Sequence, residues 1–228
     1  SGSGTVADMG MRRLLTDSAI PATHRWGIEN LQFDGGASRY YIPDGVAASS
    51  RSLLATVNEA TDTLIEGKHF LTNGTGGFFT SPALSETVTR GYVAFVGYNR
   101  LNPASLIGFA TNVAVPDNML YFTSNSVRLY LGGSLILTSG FVSDTERKSW
   151  MATWDAAPAS GARKARLFNS SGLVASTDVG TFTPATIVTV LGGIEWNSIG
   201  LALLQLGNVF PMDSAAAALA LSYQQRYV

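Results

Sequence analysis

Cysteine is absent from the 228 residues, so neither a disulfide framework nor a thiolate metal site can be built. Histidine is nearly absent: His24 and His69 are the only two, far apart and without spaced partners. A metal centre or a histidine-based triad is therefore not expected, and both imidazoles read as ordinary surface or capping residues. Charge is scarce as well. Charged residues make up 14%, with 15 basic against 16 acidic and a net charge of −1. They are spread without blocks, which argues against a nucleic-acid groove or a patch for anionic membranes. No run approaches the roughly 18 apolar residues of a membrane span. No repeat of solenoid or propeller period occurs, and no low-complexity linker divides the chain.

What remains is a hydrophobic content of 46% with 24 glycines, enough to fill a large core behind a surface of Ser, Thr, Asn and Gly. The stretch Lys148 to Leu206 shows how it is organised. Short runs rich in β-branched, aromatic or leucine residues (148–155, 165–172, 186–193 and 199–206) are bounded by Gly, Asn, Ser, Pro or Asp. That pattern predicts consecutive antiparallel strands. Alternation puts Trp150, Ala152 and Trp154 on one face of the first, with Met151, Thr153 and Asp155 on the other. A wall of two tryptophans requires a second sheet packed on it.

Trp154-Asp155, Arg166-Leu-Phe-Asn169 and Leu191-Gly-Gly193 follow one another here. With Phe33-Asp-Gly35, Ile42-Pro-Asp-Gly45 and a closing helix from Asp213 to Tyr227, the order resembles the laminin-G-like branch of the concanavalin A-like lectin/glucanase superfamily. The resemblance covers most of residues 28–228. It departs where the family's Asn-Gly turn has become Asn169-Ser-Ser-Gly172, and where residues 46–89 exceed the usual link. It implies an all-β fold: a two-sheet antiparallel β-sandwich jelly roll with a short C-terminal helix.

Taken in order, Ser1-Gly-Ser-Gly4 reads as a cloning scar. With it, residues 1–25 form an N-terminal arm whose Met9, Met11, Leu14, Leu15 and Ile20 should dock on the domain or a neighbour; residues 26–228 form one domain. Ile28 to Phe33 and Arg39 to Ile42 are strands, and Ser52 to Ile65 suits a strand slightly better than a helix. Phe70 to Phe79 reads as two strands around a glycine-rich hairpin. Arg90 to Tyr98, apolar on both faces, is a central strand. Runs at 106–109, 119–122, 127–131 and 135–137 continue as a meander. The helix should begin at an Asp213 or Ser214 cap, with Ala215, Leu219, Tyr223 and Tyr227 facing the sheets and Arg226 suiting the dipole.

Glucanase members of the superfamily set two carboxylates on one strand, flanking the glycosidic bond. No such Glu-x-Asp-x-Glu pattern occurs; Asp144 and Glu146 sit in a turn before Arg147, and no catalysis is expected. Gly74-Thr-Gly-Gly77 lacks the Lys-Ser/Thr of a phosphate loop. The triplets Asn73-Gly-Thr75 and Asn169-Ser-Ser171 fit a glycosylation pattern that recurs by chance. No cofactor is expected, with one exception that the resemblance implies: calcium at the sandwich rim, for which Asp34, Asp155, Asn169 and Asp178 are available. Among aromatics, Tyr40, Tyr41, Tyr98, Tyr121, Phe122, Tyr130 and Trp196 include adjacent pairs that must face opposite ways, leaving some for a ligand. The candidate binding site joins Trp196, as an apolar platform for a sugar ring, with Glu195, Asn197 and Asn169 as hydrogen-bonding groups.

The functional expectation is a non-catalytic module that recognises carbohydrate or a cell-surface receptor on the surface of a bacteriophage particle or outside the cell. Its partners would include other virion subunits, for instance in a homotrimer, but neither nucleic acid nor membrane. A purely structural decoration or assembly role is the alternative, and a glycoside hydrolase the third.

Overall fold

The run Lys148–Asp155 is the strand its alternation predicts, and it is buried on both faces from Ser149 to Asp155. Such a strand needs cover on each side. The computed structural model describes residues 20–27, 30–46, 53–55, 63–66, 70–73, 79–80, 89–99, 105–110, 118–122, 126–132, 134–140, 148–156, 164–180, 187–192 and 199–227. In it, a second sheet covers one face of this strand and the C-terminal helix the other.

The first sheet contains β1 (His24–Gly27), β5 (Thr63–Glu66), β6 (Phe70–Asn73), β8 (Arg90–Asn99), β13 (Lys148–Asp155), β14 (Lys164–Asn169), β15 (Gly172–Asp178) and β17 (Ile199–Gly207). Their order is β15-β14-β13-β8-β17-β6-β5, with β1 also bonded to β17. The second sheet holds β2 (Gln32–Asp34), β3 (Arg39–Ile42), β4 (Leu53–Ala55), β7 (Phe79–Thr80), β9 (Ser105–Ala110), β10 (Asn118–Phe122), β11 (Ser126–Leu131), β12 (Ser134–Gly140) and β16 (Ile187–Gly192). It runs β12-β11-β10-β9-β16-β7-β4-β3-β2. All pairings among the described residues are antiparallel. β12 lies against β14 and β15, and β10 against β8, so the sheets form a β-sandwich. The helix α1 (Asp213–Tyr227) lies across β13, β14, β15 and β8.

Register assigns each residue to a side. Trp150, Ala152 and Trp154 stand opposite Phe95, Val93 and Gly91 of β8, and Leu204 and Leu206 of β17 pair with Trp26 and His24 of β1. This side meets the second sheet, where Val127, Leu129 and Leu131 are buried. The other side presents Ser149, Met151, Thr153 and Asp155, with Tyr92, Ala94, Val96 and Gln205, and the helix closes it. The helix seam is Ala216, Leu219, Ala220 and Tyr223, all buried. Expected Ala215 is half-buried instead, because the i, i+3, i+4, i+7 set that meets the sheet starts one residue later. Tyr227's side chain lies outside the described residues.

Other expectations shift too. β1 begins at His24, inside the arm expected to end at residue 25, and Ile20 is already buried. The rest of the arm lies outside the described residues. The strands around the glycine cluster are not a hairpin: β6 pairs with β5 and β17, whereas β7 pairs with β4 and β16 in the opposite sheet. β13 and β14 are neighbours as expected, but the strand that follows them, β15, is not among the expected runs, β16 belongs to the second sheet and β17 returns beside β8. The run from β9 to β12 is the expected meander, and both described pieces of 52–65 are strands.

Candidate functional site

The polar groups of the outer side form a connected set. Tyr223 of α1 donates to Gln205 Oε1 at 2.5 Å, and Arg25 Nε donates to the same oxygen at 3.2 Å. Gln205 Nε2 donates to the Tyr92 hydroxyl at 2.7 Å, which in turn donates to the Pro21 carbonyl at 3.0 Å. Gln205, Tyr92 and Tyr223 are essentially inaccessible. Burial pushes the Tyr92 phenol up from 10.0 to about 12, with Gln205 and then Arg25 pulling weakly the other way. Gly207 makes this possible, since a Cβ there would strike the Tyr92 ring and sit 2.8 Å from the Pro21 carbonyl oxygen. The set ties residues 20–25, two central strands and the helix together, and nothing in it opens to a ligand.

A second buried group occupies the Pro43-Asp44-Gly45 turn. Asp44 accepts from His24 Nδ1 at 2.6 Å, from the Arg25 amide at 3.0 Å and from the Val46 amide at 2.9 Å. Gly45 N returns a bond to the Arg25 carbonyl at 2.8 Å. A carboxylate only accepts, so Nδ1 carries a proton. The His24 ring also stacks on Trp26, centroids 5.4 Å apart and 7° from parallel. His24 is thus a buried clasp between β1 and the turn, not the surface or capping residue expected. His69's side chain lies outside the described residues.

The other carboxylates with described side chains are similarly engaged. Asp155, buried at the end of β13, takes Arg90 Nε at 2.8 Å. Asp178 takes Lys164 at 2.5 Å, and Asp34 accepts from the Gly36 and Ala37 amides. Asn169 Oδ1 accepts from the Ser171 amide at 2.8 Å, closing a turn in which Gly172 takes φ +112°. That φ favours glycine, and it lets a Ser-Ser turn replace Asn-Gly. The residues considered for calcium each have a structural duty of their own, and no group of three or more His, Cys, Asp or Glu placed to hold a metal ion occurs among the described residues.

One open cleft does occur, where α1 meets β14. It has a volume of about 440 Å³ and is lined by Arg166, Phe210, Pro211, Met212, Asp213 and Ser214. Arg166 points to the helix side of β14, opposite Thr153. Its Nε lies 3.1 Å from Asp213 Oδ1 in an ion pair, and its guanidinium carbon lies 4.8 Å from the centre of the Phe210 ring. The Arg166 side chain is 21% exposed and that of Asp213 47%. Met212, 77% exposed, sits at the mouth. Its carbonyl accepts the Ala216 amide, so helical bonding begins one residue before the expected Asp213 cap. The cleft mixes an apolar wall with an ion pair that still has donor and acceptor capacity to spare.

Of the residues expected to bind ligand, Asn169 is half-buried and its side-chain oxygen serves the turn. It faces the opposite side of β14 from Arg166, so the two do not converge. Glu195, Trp196 and Asn197 lie outside the described residues, as do Asp144, Glu146, and the side chains of Tyr40, Tyr98, Tyr121 and Phe122. Tyr41 and Tyr130 are half-buried. The cleft residues were missed because Phe210-Pro-Met212 reads as a link into a helix. The available signal was an apolar pair just before a cap, with an arginine at mid-strand.

No family model and no curated sequence matches the chain. Solved structures do. A Trypanosoma rangeli sialidase mutant displaying trans-sialidase activity superposes with a TM-score of 0.66 at 12% identity, over 97% of this chain and 38% of that one. The botulinum neurotoxin serotype D ligand binding domain, in complex with N-acetylneuraminic acid, gives 0.63 at 7% identity, over 91% and 52%. The binding domain of botulinum neurotoxin DC, in complex with rat synaptotagmin II, gives 0.61 at 10%, over 85% and 51%. This chain spans about half of the toxin domains and little more than a third of the sialidase. At such identities the likeness is one of fold: antiparallel sheets packed as a β-sandwich.

Proposed function

We propose that this chain is a non-catalytic binding module that recognises carbohydrate or a cell-surface receptor, built as a concanavalin A-like jelly roll of the laminin-G type. The observation that carries the reading is the disposition of the carboxylates among the described residues. Cleavage of a glycosidic bond by a retaining mechanism needs two carboxyl groups roughly 5–5.5 Å apart and facing one sugar. Asp34, Asp44, Asp155, Asp178 and Asp213 instead hold turns or pair with cations. Fold likeness lends support, because toxin domains of this architecture have been solved with a sugar acid and with a protein receptor. One fold carries many functions, so the site must decide.

The rim constellation of Trp196, Glu195, Asn197 and Asn169 is our proposed contact surface, with Trp196 as its apolar platform. The setting we propose is the surface of a bacteriophage particle, in keeping with a cysteine-free, sparsely charged sequence. Among the described residues no helix is long and apolar enough to cross a membrane.

Glycan-array and receptor-binding assays on the full chain test the module reading. Saturable binding of a glycan or a surface protein, with no cleavage product, is expected. Polysaccharide cleavage would overturn it, and so would the absence of any ligand. Trp196→Ala should weaken glycan binding by about 1–3 kcal/mol if the platform is used.

A further inference from the structure

The open cleft between β14 and α1 lies on the outer side of the first sheet, away from Asn169. We infer that it is a subsite for a neutral sugar ring, resting on the carbohydrate reading above. Three observations meet there.

The first is size: the depression, about 440 Å³ and open on its outer side, has room for one pyranose ring lying against it. The second is charge. Arg166 and Asp213 neutralise each other at 3.1 Å, and the lining holds no further cation. A carboxylated sugar would therefore meet a guanidinium whose charge is already balanced, beside the like charge of the half-exposed Asp213. A neutral sugar meets no such repulsion. Its vicinal hydroxyls are donors and acceptors at once, so one can give a proton to Asp213 while its neighbour accepts from an Arg166 Nη–H. The contact with Asp213 is an ion pair through Nε, and the Nη–H groups of the guanidinium remain as donors. The Ser214 hydroxyl beside the pair can do either.

The third observation is the apolar side. The C–H face of a pyranose needs a nonpolar surface next to its polar rim, as aromatic and thioether groups provide. Met212 is 77% exposed at the mouth. Phe210 also lines the depression, with the Arg166 guanidinium carbon over its ring at 4.8 Å from the centre. Exposing a methionine beside a half-buried phenylalanine keeps apolar surface in water, and a sugar face would cover it.

The test is an array of neutral mono- and oligosaccharides beside sialylated and uronic-acid glycans, probed with the full chain and three variants. Asp213→Asn keeps the shape but removes the carboxylate. Met212→Ser removes the apolar mouth at a position too exposed to matter for folding. Leu135→Ser, at a 49% exposed position on β12, is the control. Circular dichroism confirms that each variant folds. We expect neutral glycans to bind, Asp213→Asn to lose about tenfold or more, Met212→Ser to lose severalfold, and the control to match the original chain. Neutral glycans binding the original chain and both cleft variants equally would overturn the subsite and leave the module reading standing. Binding confined to acidic glycans would overturn the neutral assignment. Absence of glycan binding altogether would remove the subsite, while a protein receptor could still sustain the module reading.

Discussion

The hydroxyl of Tyr223 on the C-terminal helix lies 2.5 Å from the amide oxygen of Gln205 on the strand beneath it. Gln205 uses its nitrogen on Tyr92, whose own hydroxyl reaches the Pro21 carbonyl. A single glutamine thus links the beginning of the described chain, its central strand and its closing helix. In a low-dielectric layer between sheet and helix, losing any one partner strands the others, at about 1–3 kcal/mol for each group left unpaired.

Alkaline stability follows from the same tyrosine. The Tyr92 phenol is held at about 12 against 10.0 in an unfolded chain. Between those values the unfolded state releases a proton that the folded state keeps, so stability falls as pH rises. It is undiminished below pH 10 and declines by about 1.4 kcal/mol per unit up to about pH 12. Urea unfolding at several pH values should show this slope, and Tyr92→Phe should remove most of it while lowering stability at neutral pH. An unchanged slope in the variant would assign the effect to other tyrosines.

The sandwich side is tested by its largest ring. Trp154 is fully buried between Ala165 and Gly91 in register, facing the second sheet. Trp154→Ala should cost about 3–5 kcal/mol in urea unfolding. A loss under about 1 kcal/mol would mean that this face has collapsed or is wet.

Much of this layout was legible in the sequence because alternation is a strong signal on a strand. It placed Trp150 and Trp154 together and found the central strand Arg90–Asn99. What it could not give was sheet membership. Phe70 and Phe79 flank a glycine cluster just as hairpin strands do, and only long-range pairing sends them to opposite sheets. His24 misled for a similar reason: an imidazole next to Arg25 looks exposed, and Asp44 that buries it stands 20 positions away. The cleft was hidden because Arg166 and Asp213 are brought together only when the helix folds back over β14.

Thr153 offers a test with the opposite sign. It is fully buried on the helix side of β13, and its Oγ1 is the buried side-chain polar atom without a hydrogen-bond partner among the described residues. Valine has nearly the same shape and no hydroxyl to desolvate. Thr153→Val should therefore stabilise the fold by about 1 kcal/mol, seen as a higher urea midpoint with an unchanged slope. A destabilised variant would reveal a partner for the hydroxyl, such as a buried water.

Removal of the helix is the most searching test of the three-layer arrangement. Ending the chain after Pro211 takes away Ala216, Leu219, Ala220 and Tyr223, all buried, and bares Tyr92, Ala94, Val96 and Met151 beneath them. It also removes polar partners, Asp213 of Arg166 among them. Tyr223 no longer reaches Gln205; the Ser149 amide loses Gln224, which it meets at 2.7 Å; and the Ser149 hydroxyl loses the Ala220 carbonyl at 2.5 Å. A sheet face that is apolar at its centre and unsatisfied at its polar points is poor in water and prone to associate. The shortened chain should aggregate or melt well below the full one, as light scattering and calorimetry would show. Leu221→Ser, at a 44% exposed position on the far side of the helix, should change neither. A truncated chain that stays monodisperse at the original melting temperature would make the helix an appendage, and the sandwich would then have to be stable with one sheet face open to solvent.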